Sequence, residues 1–123
     1  MRYGGHTLRI YVDQENLALD KLLRQQGARC WGFITAWNPR SRVLPRWRNQ
    51  GHNAVLRREL SRTGYRALPA SSDGPDYAAE IGFLVLNAGT SAIRRLGRKF
   101  GQNAVLGGAR GAKARLLWCD SSR

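Results

Sequence analysis

Apolar residues along the chain fall into short runs whose period switches between two and about four, and each switch marks a predicted element. Leu8 to Val12 alternates apolar with polar and predicts a short strand. Asp13 or Asn16 can cap the helix that follows, on which Leu19, Leu22 and Leu23 share a face, and Gly27 ends it. Cys30 to Trp37 is aromatic and β-branched, which predicts a central strand. Asn38-Pro39 stops it, because the residue before proline is pushed out of the helical region. Residues 40 to 50 read as a loop. A second helix is expected from about Asn53, with Val55, Leu56 and Leu60 inward, Arg57, Arg58 and Arg62 outward, and Gly64 at its end. Tyr65 to Ala70 predicts a strand, Ser71 to Asp76 a turn, and Glu80 to Leu86 a strand buried on both faces. Thr90 or Ser91 is expected to cap a third helix whose inward stripe is Ile93, Leu96 and Phe100. Asn103 to Leu106 and Ala114 to Trp118 are closing strands, joined by a glycine-rich basic turn from Gly107 to Lys113.

From the second strand onward the order is βαββαβ. The class is therefore α+β: a split βαβ, ferredoxin-like sheet with helices packed on it, preceded by an extra βα unit and followed by one strand. At 123 residues this is one domain, with a core over about 8–118 and short flexible termini. Right-handed crossovers place the Cys30 strand between the Glu80 strand and the strand after Gln102, antiparallel to both. That topology carries Thr35, Asn38, Asn53, Glu80, Arg98, Gln102 and Asn103 to one edge of the sheet, as one expected ligand-binding cluster.

Two polar motifs interrupt the apolar runs, Phe33-Ile34-Thr35-Ala36-Trp37-Asn38-Pro39 and Phe100-Gly101-Gln102-Asn103-Ala104-Val105. With the spacing between them they resemble the domain of unknown function 3293 family, small bacterial domains whose pattern includes "ITAxNP" and a late "FGQxA". The resemblance covers roughly residues 8–118. It implies a family without implying a reaction, and its polar positions coincide here with Thr35, Asn38 and Gln102.

Amides both donate and accept, and Asn or Gln can pair bidentately with an adenine edge, so these residues suit base recognition. The structural alternative is an Asx turn at Asn38 and a helix-end cap at Gln102. Glu80 is a candidate general acid/base, a ligand-orienting carboxylate, or a salt-bridge partner of Arg98 or Lys99. His52 is a candidate base for metal-free nuclease chemistry or a surface residue at a helix start, and no nucleophile motif accompanies it.

Charge changes the picture most. Twenty-one Lys and Arg against eight Asp and Glu give +13, and no acidic residue lies between Glu80 and Asp120. Codon bias toward GC explains arginine over lysine but not basic over acidic. A polyanion such as RNA, DNA or a nucleotide is the partner such a field favours. Arg40, Arg42, Arg46 and Arg48 interleave with Trp37 and Trp47, and Lys99 adds a further cation. That composition suits stacked bases and held phosphates, although a protein interface looks the same. Cys30 and Cys119 read as buried thiols. Without CxxC or HxxxH spacing no metal site is expected, and no cofactor is implied. Neither an apolar leader nor a membrane span is visible, so a cytoplasmic protein is expected.

The expected function is binding of RNA or a nucleotide through the amide and Glu80 cluster flanked by arginines. Two alternatives are a small hydrolase or transferase acting on a phosphorylated substrate, with Glu80 as base, and an accessory protein binding an acidic protein partner. The sequence does not decide whether the protein is an enzyme.

Overall fold

The computed structural model describes residues 2–3, 6–7, 9–11, 13–74 and 77–119. Strands β1 (Arg2–Tyr3) and β2 (His6–Thr7) pair antiparallel as a small ribbon. The main body runs β3 (Arg9–Tyr11), α1 (Leu17–Gln25), β4 (Cys30–Ile34), α2 (Arg46–Thr63), β5 (Ala67–Gly74), β6 (Tyr77–Leu86), α3 (Thr90–Lys99), β7 (Ala104–Ala109) and β8 (Arg115–Trp118). Leu8, Val12, Pro75 and Asp76 of the expected first strand and turn lie outside the described residues.

The six-stranded sheet has the order β3-β5-β6-β4-β7-β8. Strand β4 lies between β6 and β7 and is antiparallel to both, as right-handed crossovers require. The inner four strands make the split βαβ unit. The extra βα unit adds β3 parallel to β5, and the last strand adds β8 antiparallel to β7.

Because strand residues alternate faces, the sheet feeds two cores. Trp31, Phe33, Leu84, Leu86 and Leu106 pack with Leu19, Leu22 and Leu23 of α1. Ile34, Phe83, Val85, Val105 and Leu117 pack on the other face with Leu56 and Leu60 of α2 and Ile93 and Leu96 of α3. Two helices cover the second face, whereas α1 alone covers the first. With 9 residues α1 is roughly 14 Å long, against roughly 33 Å for the 10 residues of β6. Among the described residues, no helix reaches the far end of the first face.

Several boundaries differ from the sequence reading. Helix α2 begins at Arg46 behind Pro45, not at Asn53, so Arg46, Trp47 and Arg48 form its first turn. Proline suits a helix start because it has no N–H to leave unsatisfied. Val55 is 45% exposed on this helix rather than inward. Strand β4 stops at Ile34, three residues before Trp37. Strand β5 runs on through Ser71, Ser72 and Asp73, where a turn was expected, and its register shifts between Ser72 and Gly74. Gly89, not Thr90 or Ser91, is the N-cap of α3. Strand β7 continues to Ala109, which shortens the glycine-rich turn. Asn16 does cap α1, accepting from Leu19 N at 3.0 Å.

Gly97 lets α3 lie close on the sheet: a Cβ there would overlap Cys119 Sγ and come within 2.8 Å of Val105 Cγ1. Alanine in a helix interior gains about 1 kcal/mol over glycine, but overpacking costs about 1–3 kcal/mol. Gly97→Ala is therefore expected to lower stability in urea denaturation. Equal or greater stability would show that α3 does not press on Cys119.

Candidate functional site

At Ile34 strand β4 stops pairing while β6 continues toward Tyr77, so backbone groups on both sides lose their ladder partners. Buried groups of this kind need replacements. Thr35 Oγ1 donates to Ile81 O at 2.6 Å, and Asn53 Nδ2 donates to the same carbonyl at 3.0 Å. Asn53 Oδ1 accepts from Ala36 N at 2.8 Å, and Thr35 Oγ1 accepts from Trp37 N at 3.0 Å. Asn49, one turn before Asn53 on α2, accepts from Asn38 N at 2.8 Å. Its Nδ2 donates to Asn38 Oδ1 at 2.8 Å and to Leu44 O at 3.2 Å. Asn38 Oδ1 also accepts from Leu44 N at 2.9 Å. Two asparagines at helical spacing, with Thr35, thus hold the departure of the chain from the sheet.

The loop they hold is strained. Asn38, Arg40 and Ser41 have φ of 45°, 56° and 61°, a left-handed region that side chains disfavour. The second motif clamps it. Arg40 N donates to Gly101 O at 2.6 Å, Gln102 Nε2 to Trp37 O at 3.2 Å, and Asn103 Nδ2 to Ser41 Oγ at 3.1 Å. A Cβ at Gly101, where φ is +72°, would sit 3.0 Å from Pro39 Cβ, so the backbones approach closely there. The two motifs are one physical unit.

Beside this junction, on the sheet face that α1 leaves open, lies a cavity of about 270 Å³. Its polar lining is Thr35, Asn38, Ser41, Ser72, Glu80, Gln102 and Asn103, with Phe33, Leu106 and Leu116 as apolar wall. Ser72 and Glu80 are cross-strand partners next to the irregularity in β5, the kind of place where a bulge re-aims side chains. Gln102 and Asn103 also border a second cavity of about 610 Å³, lined by Arg40, Arg98, Trp118 and Cys119.

Of the seven residues expected to cluster, Thr35, Asn38, Glu80, Gln102 and Asn103 line the first cavity. Asn53 does not; it is buried as a brace. Arg98 lies in the second cavity, where Nη1 donates to Cys119 O at 2.6 Å. Lys99 pairs with Glu59 at 2.6 Å, which holds that carboxyl below its ordinary range. Neither cation meets Glu80, which has no ion-pair partner among the described residues. His52 lies apart, in an apolar pocket with Val55, Lys99 and Phe100. Arg40, Arg42, Arg46, Trp47 and Arg48 are exposed, and Trp37 is half-buried. Sequence reasoning missed Asn49, Ser41, Ser72 and Trp118. The spacing Asn49, Asn53, Leu56, Leu60 would have shown Asn49 once the helix start at Pro45 was read.

The sequence matches the family described as "Protein of unknown function (DUF3293)" over residues 34–105, more than half of the chain. The chain belongs to this family. The DUF3293 match begins on the first motif and ends on the second, and it encloses every polar residue of the smaller cavity. Strand β8, with Trp118, and helix α1 lie outside it. No curated protein and no solved structure matches the chain.

Among the described residues no three His, Cys, Asp or Glu side chains form a metal-binding group, and no helix is long and apolar enough to cross a membrane. Cys30 and Cys119 are free thiols, and burial is the main influence on Cys119, pushing its thiol up. Burial likewise pushes the Glu80 carboxyl above its ordinary range, since the charged form loses hydration.

Two outcomes follow from this geometry. Asn53→Ala leaves Ala36 N without its acceptor, while Ile81 O keeps Thr35, so a loss of about 1–3 kcal/mol is expected in chemical denaturation; an unchanged midpoint would remove the brace. A carboxyl whose pKa is raised in the fold destabilises it once ionised, so stability falls as pH rises from the unfolded pKa through the folded one. Glu80→Gln is therefore expected to be more stable than the parent at neutral pH, with the gap closing below about pH 4. A gap independent of pH would contradict the burial of Glu80.

Proposed function

We propose that this DUF3293 protein binds RNA or a nucleotide, with the base in the cavity of Glu80, Gln102 and Asn103 and the phosphate in the neighbouring cavity of Arg40 and Arg98. The observation that carries this reading is the shared wall: Gln102 and Asn103 border both cavities, one amide- and carboxylate-lined, the other basic. A nucleotide has the same two-part chemistry. The first turn of α2 adds support, because Arg46 and Arg48 sit with no acidic residue at a helix end that is already positive. Exposed Trp47 between them offers a stacking surface for a longer strand. The net charge of +13 supplies the long-range attraction.

A small hydrolase or transferase is the second reading, favoured by one observation: Glu80 is a half-buried carboxyl with a raised pKa and no ion-pair partner among the described residues, a condition suited to general base work. Turnover of a phosphorylated substrate that Glu80→Gln abolishes would support it.

The test of binding is titration of a short fluorescent single-stranded RNA at several salt concentrations, with a mononucleotide as competitor. Binding is expected to weaken with salt at a slope of about 0.7 per phosphate engaged, and Arg40→Ala is expected to lower that slope by about one contact. Competition by the mononucleotide at high salt would support a base site. Binding that disappears at moderate salt and ignores the competitor would contradict it.

A further inference from the structure

The residues that line the smaller cavity keep both donors and acceptors unoccupied, and Glu80, once ionised, can only accept. Trp37 O can only accept, so Gln102 turns its NH2 toward it, leaving Oε1 without a described partner. Asn103 gives its NH2 to Ser41 Oγ, leaving Oδ1 in the same condition. Glu80 contributes a carboxyl with no ion-pair partner among the described residues. The donors are the NH2 of Asn38, whose Oδ1 is already taken by Leu44 N and Asn49 Nδ2, and the hydroxyls of Ser72 and of Ser41, whose oxygen accepts from Asn103. A carboxylate that can only accept, inside a chain of +13, is complementary to a ligand edge that presents two donors.

Arg40 and Arg98 of the neighbouring cavity favour an anionic group at the other end of that ligand. A volume of about 270 Å³ falls at the small end of ligand cavities, the class of a base and not of a whole nucleotide. Among the common bases only guanine presents two adjacent N–H donors, N1–H and N2–H2, beside a carbonyl acceptor, O6. Those donors match the two oxygens of one carboxylate. Adenine and cytosine offer a single amine next to an acceptor nitrogen, and uracil offers one N–H between two carbonyls.

Resting on the nucleotide reading of this cavity, we infer that it selects guanine, with the Glu80 carboxylate taking N1–H and N2–H2 and the Asn38 amide facing O6. Gln102 Oε1 and Asn103 Oδ1 further disfavour bases that bring acceptors to that wall.

Competition by GMP, IMP, AMP, CMP and UMP against a labelled mononucleotide on the whole protein tests this. GMP is expected to bind tightest. IMP, which lacks only the 2-amino group, is expected to bind roughly tenfold or more weakly, the size of one lost specific contact. In Glu80→Gln, whose side chain offers one donor and one acceptor, the preference for GMP over AMP is expected to collapse. IMP equal to GMP, or AMP preferred by the parent, would overturn guanine selection while leaving nucleotide binding in place. No binding by any of the five would overturn both. Should Glu80→Gln fail to fold, the GMP and IMP comparison on the parent decides the matter.

Discussion

Everything around the candidate site depends on where strand β4 leaves the sheet. An apolar central strand that stops at Ile34 strands the Ile81 carbonyl on its neighbour and the N–H groups of residues 36–38 on itself. Each such buried group costs about 1–3 kcal/mol if left alone, a large share of a small domain's net stability. Thr35, Asn49 and Asn53 replace the missing ladder. The replacement fixes the strained loop from Asn38 to Ser41, and that loop is what the Gly101-Gln102-Asn103 segment grips.

One consequence is a division of labour among the amides. Asn49 and Asn53 are almost fully committed to backbone groups, and Asn38 is committed through its oxygen. Gln102 and Asn103 spend one half of each amide on the clamp and keep the other half beside the cavities. The same polar cluster therefore builds the fold and lines an opening.

The fold was legible in sequence wherever period and apolarity agreed. The strands Cys30 to Ile34 and Glu80 to Leu86 and the stripe Ile93, Leu96 showed themselves in this way, and the crossover rule then set the sheet order. The convergence of the candidate residues was legible through that order, since Thr35, Gln102 and Asn103 stand at element ends that the topology brings beside Glu80 of β6. What stayed hidden was polar where apolar residues would have signalled structure. Helix α2 faces inward with Asn49 and Asn53 before Leu56 begins its apolar stripe, so its first two turns looked like loop. Strand β5 ends in Ser71, Ser72 and Asp73, and Ser72 lines a cavity instead of a core, so its last residues looked like a turn. The exposed arginines Arg46 and Arg48 reinforced the loop reading of a segment that is helical.

The most direct measurement is a side-chain amide NMR titration of the 15N-labelled protein with a short single-stranded RNA. Shifts concentrated on the Gln102, Asn103 and Asn38 amides, with the Asn49 and Asn53 amides nearly still, are expected if the open half of the cluster meets the base. Shifts limited to the Trp47 indole and the surrounding arginines would contradict a base site and leave only a basic surface.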